Sequence, residues 1–72
     1  MMEKHEFRTP DQILKEALAR EKEARDFYAG LATHTYVDFV KELLKRLEAE
    51  ESKHVALVQD MITRLNRGKD IV

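Results

Sequence analysis

Three side chains of metal-ligating type stand at positions where the helical pattern of this chain calls for apolar residues. Glu21 falls four residues after Ala17 and three before Ala24, one heptad from both Leu14 and Tyr28. Glu51 and His54 fill adjacent core positions between Leu47 and Val58. A Glu-x-x-His spacing puts both side chains on one helical face, one turn apart, where they can converge on one ion. Burying ionised carboxylates with nothing between them is costly, because each loses hydration and repels its neighbours. Divalent cations remove that cost, and they accept oxygen from carboxylate and nitrogen from imidazole. Two copies of the chain would assemble four glutamates and two histidines, enough for two such ions. One Glu from each of two helices plus a Glu-x-x-His from each of two others is the ligand set of two-metal carboxylate bundles.

The elements that must carry these residues are two helices. Thr9 can act as N-cap, Pro10 suits the first helical position, and Gln12 completes a capping box with Thr9. Leu14, Ala17, Glu21, Ala24, Tyr28 and Leu31 then recur at spacings of three and four, with Ile13, Leu18 and Phe27 beside them. Gly30 weakens the last turns and Thr33-His34-Thr35 forms the break. Thr35 with Asp38 predicts a second capping pair. Val40, Leu44, Leu47, Glu51, His54, Val58, Met61 and Leu65 follow at four, three, four, three, widened by Leu43, Val55 and Ile62. Asn66-Arg67-Gly68 reads as a helix end with Gly68 as a left-handed cap. The expected organisation is a loose arm over 1–8, a hairpin over 9–67 with helices at about 10–33 and 36–66, and a short tail over 68–72.

Two long helices joined by a short turn lie antiparallel. With the turn near His34 and Thr35, Glu21 lies as far before it as Glu48 to Glu51 lie after it, so the three polar residues meet at one level. Each helix is ~35–45 Å long at ~1.5 Å per residue, and a lone hairpin of that length leaves half its apolar stripe wet. The fold expected is therefore all-α: an antiparallel hairpin that dimerises into a four-helix bundle.

Composition agrees. The chain has 72 residues, 43% hydrophobic and 38% charged, with two Gly and one Pro, which reads as helical. A chain this short commonly relies on a metal, a disulfide or a partner subunit. It has no cysteine, which excludes disulfides, thiolate metal sites and cysteine nucleophiles. The net charge of -1, with acids and bases interspersed, gives no footprint for nucleic acid or anionic membrane. No apolar run is long enough to span a bilayer and Met1–Pro10 is unlike a signal peptide, so a cytoplasmic protein is expected.

Plainer readings of the same residues stand beside this one. A Glu-x-x-His on a charged helix is commonly a pair of solvated neighbours, and Glu21 could be a stripe-edge residue paired with Arg20 or Arg25. Glu16, Glu23, Glu48 and Glu50 fall off the core series and read as solvated. His34 in the turn and His5 in the arm read as exposed, and Met61 and Phe27 as core filler. Tyr28, one heptad after Glu21, either hydrogen-bonds a ligand carboxylate or is a core tyrosine with a wet hydroxyl.

Glu21-x-x-Ala24-x-x-Phe27-Tyr28 followed by Glu51-x-x-His54 resembles the paired motifs of the ferritin-like superfamily, and within it the rubrerythrins, over roughly Ile13 to Leu65. The resemblance implies Glu21, Glu51 and His54 as metal ligands, Tyr28 as a hydrogen-bonding neighbour, and iron, two per dimer, with manganese as the other candidate. Rubrerythrins usually carry four helices on one chain and a cysteine-ligated second iron centre; this chain has half a bundle and no cysteine, so peroxide reduction would need an external electron donor. The half-bundle layout is similar to encapsulated ferritin-like proteins, which implies a homodimer and extends to a higher oligomer or an encapsulating shell, although the tail Lys69-Asp70-Ile71-Val72 carries no evident targeting tag.

The function expected is oxidation of Fe(II) by O₂ or peroxide, as a ferroxidase or a rubrerythrin-like peroxidase. The alternative is a non-enzymatic helical dimerisation module whose polar core residues set register. A purely structural zinc or manganese site is a third reading, though six oxygen-rich ligands fit a two-metal carboxylate site better than tetrahedral zinc.

Overall fold

The computed structural model describes residues 8–71, with side chains as far as Gly68. Within them the chain is all-helical: α1 spans Pro10–Ala32 and α2 spans Asp38–Ile71. The arm expected over 1–8, with His5, lies outside the described residues apart from Arg8, which pairs with Glu16. No helix among the described residues is long and apolar enough to cross a membrane.

The start of α1 follows the local chemistry. Gln12 N–H donates to Thr9 Oγ1 at 3.1 Å, and Thr9 N–H donates to Gln12 Oε1 at 2.9 Å, a complete capping box ahead of Pro10. At the other end Thr33 closes the helix, its N–H and hydroxyl both donating to Gly30 O at 3.1 and 2.7 Å. His34 lies exposed in the turn, as expected, its Nδ1 2.8 Å from the same carbonyl.

The start of α2 departs from expectation. Thr35 does not cap it: Thr35 Oγ1 accepts from Val37 N–H at 3.2 Å, a turn two residues long. The first helical bond instead runs from Lys41 N–H to Val37 O at 2.9 Å, so the helix begins at Asp38 rather than at 36. A Thr side chain offers its oxygen to whichever amide the backbone brings nearest, and here the turn does so before the helix forms. The far end departs too. The tail expected over 68–72 is helical through Ile71, because Gly68 has no left-handed φ and Asn66-Arg67-Gly68 simply continues the helix. A glycine costs helix stability but ends a helix only where the backbone turns left-handed.

The two helices pack antiparallel as one layer. The molecule is 12 Å across its thinnest dimension, about the ~10–12 Å diameter of a single helix with its side chains. One layer cannot enclose a core, and among the described residues only Ala32 and Val55 are buried hydrophobics. Phe27 and Leu57 are each 60% exposed and Leu43 53%, all on one side of the hairpin. Phe27 and Met61, read from sequence as core filler, lie open on that side because one hairpin supplies nothing to cover them.

Candidate metal centre

Glu21 sits midway along α1, and Glu51 and His54 one turn apart on α2, at the level where the two helices face each other. His54 Nδ1 lies 3.2 Å from Glu21 Oε1 and 3.3 Å from Glu51 Oε1. One ligand atom from each of the three lies within 4.8 Å of the others. The contact is across helices, thirty-three residues apart in sequence for Glu21 and His54.

The rotation of α2 about its axis differs from the sequence pattern in one respect that matters. His54 was expected on the core stripe with Val55 beside it. Val55 takes the buried position against α1, and His54 turns to the edge, its side chain 47% exposed. Glu21 and Glu51 are half-buried. The triad therefore opens onto the side of the hairpin that carries Phe27, Leu43 and Leu57. Glu48, expected to be solvated, is also half-buried, since it lies one turn before Glu51 on the side of α2 turned toward α1.

The plainer reading of Glu21 as an ion-pair partner of Arg20 or Arg25 does not hold. Arg20 pairs with Glu23 at 3.2 Å and Arg25 with Asp26 at 3.1 Å, both within α1. Glu50 is likewise taken by Lys53 at 3.4 Å. Among the described residues the carboxylates of Glu21 and Glu51 thus have only His54 within salt-bridge distance. Tyr28 lies two turns after Glu21 with its ring tilted against Phe27, centroids 5.5 Å apart, and its hydroxyl is not among the hydrogen-bond partners of the triad.

Protonation follows from this crowding. The hydrogen bond with Glu51 lowers the pKa of Glu21, and the same bond raises that of Glu51, so Glu51 is the better holder of a shared proton. The pKa of His54 is raised above its ordinary 6.5, first by its hydrogen bond to Glu21 and further by Glu51. A raised histidine pKa favours the folded state below the unfolded pKa, and that contribution is lost as pH rises through the folded pKa. A metal ion has the opposite dependence, since it must displace the Nδ1 proton. The metal-free protein is accordingly expected to lose thermal stability as pH rises from about 6 to 8, while Mn(II) or Fe(II) affinity rises over the same span. Thermal melts and anaerobic metal titrations at several pH values check both signs; metal binding that weakens with pH would contradict the assignment.

The donor set fits a metal. Two carboxylate oxygens and one imidazole nitrogen, with no thiolate, suit iron or manganese in an oxygen-rich site. A cation would also supply the counter-charge that no Lys or Arg among the described residues provides.

A sequence model of the family described as Rubrerythrin matches residues 12–72, from the first turn of α1 to the end of the chain. The chain belongs to the rubrerythrin family. No curated protein and no solved structure matches it. Rubrerythrins typically bind iron, and Glu21, Glu51 and His54 all lie inside the matched span, on the helices that bring them together. The family match also takes in residues 66–71, which the motif resemblance had left out and which are helical.

Proposed function

We propose that this rubrerythrin-family chain is a di-iron carboxylate protein that works as a homodimer, two hairpins closing a four-helix bundle around two irons. Glu21, Glu51 and His54 of each copy would hold the metal. Bound iron supplies the electrons that reduce O₂ or peroxide, passing from the ferrous to the ferric state. The protein's own part is to fix the ligands and exclude water. His54 offers Nδ1, the nitrogen that faces both carboxylates, and the glutamates offset the charge of the ions. A second hairpin laid on the open face would shut Phe27, Leu43 and Leu57 away from water and enclose the triad. Tyr28, two turns from Glu21, would hydrogen-bond a ligand carboxylate once that face closes. Electrons for repeated peroxide turnover must come from an external donor, since this chain has no cysteine-ligated relay.

The observation that carries this reading is the meeting of three donor atoms from two helices within 4.8 Å, with no competing arginine or lysine among the described residues. The test is anaerobic loading with Fe(II), desalting, then exposure to O₂ or peroxide. Wild type should retain about one iron per chain, two per dimer as paired ligand sets require, and oxidise it; Glu51→Ala should do neither. Equal retention and equal oxidation rates in both proteins would remove the proposal.

A further inference from the structure

The helices keep basic side chains away from the two carboxylates, with one exception. On a helix the neighbours of a residue are those three and four before and after it. For Glu51 these are Leu47, Glu48, His54 and Val55, and for Glu21 they are Ala17, Leu18, Ala24 and Arg25. Arg25 is the only lysine or arginine one turn from either carboxylate along its own helix. It also shares the side of α1 that carries Glu21. Leu14, Leu18, Glu21, Arg25, Tyr28 and Ala32 follow one another at 4, 3, 4, 3 and 4, and each is half-buried or buried. Glu four residues ahead of a basic residue is, moreover, the order in which such a pair is most favourable.

The guanidinium is nonetheless turned aside. Arg25 Nε donates to Asp26 Oδ1 at 3.1 Å. Adjacent side chains point about 100° apart around a helix, so this bond draws the arginine off the line to Glu21 and toward Asp26, whose side chain is 71% exposed. The Arg25 side chain itself is 32% exposed. Glu21 is left with His54, 3.2 Å away on the other helix. A guanidinium on Glu21 would oppose a cation in two ways. It would occupy the carboxylate lone pairs that bind the ion, and it would set a like charge beside it.

We propose that Asp26 is a positioning residue for the metal centre: by holding Arg25 it keeps the Glu21 carboxylate free for a divalent cation. Removing the charge of Asp26 releases Arg25 to Glu21, and an incoming metal must then displace it. Apparent affinity falls with the fraction of molecules in which Arg25 closes Glu21. The inference rests on the metal reading of the proposed function and adds to it a side chain that is neither a ligand nor in contact with one.

Anaerobic titration with Mn(II) tests this without any oxidation step. Asp26→Asn keeps the size of an exposed side chain and removes its charge. It should weaken Mn(II) binding about 2–5-fold, the scale of an ion pair at this degree of exposure. The same exchange made in an Arg25→Gln background should leave Mn(II) affinity unchanged, since no guanidinium remains to be released. A crystal structure of metal-free Asp26→Asn should show the Arg25 guanidinium on Glu21. Unchanged affinity in the single variant would overturn the proposal. So would an equal loss in the Arg25→Gln background, which would mean that the charge of Asp26 acts on the ion directly. An Arg25 that turns instead to solvent or to Glu48, half-buried one turn before Glu51, would overturn it as well. The two readings fail distinguishably. Wild type that binds no Mn(II) removes the metal centre and the role of Asp26 with it; Mn(II) binding that is equal in wild type and Asp26→Asn removes only the latter.

Discussion

Replacing Glu21 and His54 together by leucine is expected to abolish the proposed metal binding while leaving the proposed dimer, free of metal, as stable as wild type or more so. The two effects have opposite sign for one physical reason. Glu21 on α1 and Glu51 with His54 on α2 are the polar breaks in stripes that are otherwise apolar, and among the described residues no lysine or arginine lies within salt-bridge distance of the two carboxylates. Leucine at both positions extends the apolar surface that a second hairpin would cover, and apolar replacement of polar groups that such an interface buries is commonly neutral or stabilising. The metal, by contrast, loses two of the three donors that this chain supplies. Loss of a hydrogen-bond partner behind a ligand already costs ~10–100-fold in affinity, so loss of the ligands themselves should exceed ~100-fold. Anaerobic Fe(II) titration and thermal melts with and without metal measure both effects. Wild type should melt higher with metal, and the variant should melt at one temperature in either condition. A metal-dependent rise that persists in the variant would place the ions elsewhere. A double-leucine protein that kept all its cellular roles would favour a dimerisation module whose polar residues set register.

Leu57→Lys is expected to split the proposed dimer. Leu57 is 60% exposed in the single hairpin and sits on the open side of α2. Burying a leucine contributes ~1.5–3 kcal/mol, and a two-fold interface uses each side chain twice, so the loss is ~3–6 kcal/mol per dimer on that coefficient. At ~1.4 kcal/mol per tenfold, the dissociation constant should rise ~10²–10⁴-fold. The effect should extend beyond association. Ala32 and Val55 are the only buried hydrophobics among the described residues, so a released hairpin retains little to hold it and should lose helicity as it dissociates. Analytical ultracentrifugation alongside far-ultraviolet circular dichroism over a concentration series follows both. Glu23→Lys, on the outer side and engaged only with Arg20, should leave the dimer intact. An unchanged dissociation constant for Leu57→Lys would mean that the interface lies on another face.

Much of this molecule is legible in its residues because helices convert spacing into geometry. The capping box of Thr9 and Gln12, the turn near His34, and the meeting of Glu21 with Glu51 and His54 all follow from periods of three and four and from equal distances to the turn. Those are local rules, or one counting step beyond them. What the spacing left open is decided where two helices compete for the same space. Whether His54 or Val55 points at α1 depends on a rotation of α2 smaller than the width of the apolar stripe, and packing settles it for Val55, the side chain with no polar atom to keep wet. That rotation turns His54 toward the open side and half-buries Glu48. The pairing of Arg20 with Glu23 and of Arg25 with Asp26 is, by contrast, local to α1, at spacings of three and one. The ends of α2 escaped the local rules for a related reason: Thr35 and Gly68 carry the propensity to cap a helix, but the backbone uses Thr35 inside the turn and takes Gly68 through in helical conformation. Residue type and spacing therefore determined the hairpin and the composition of the site, while tertiary packing decided which way the site faces.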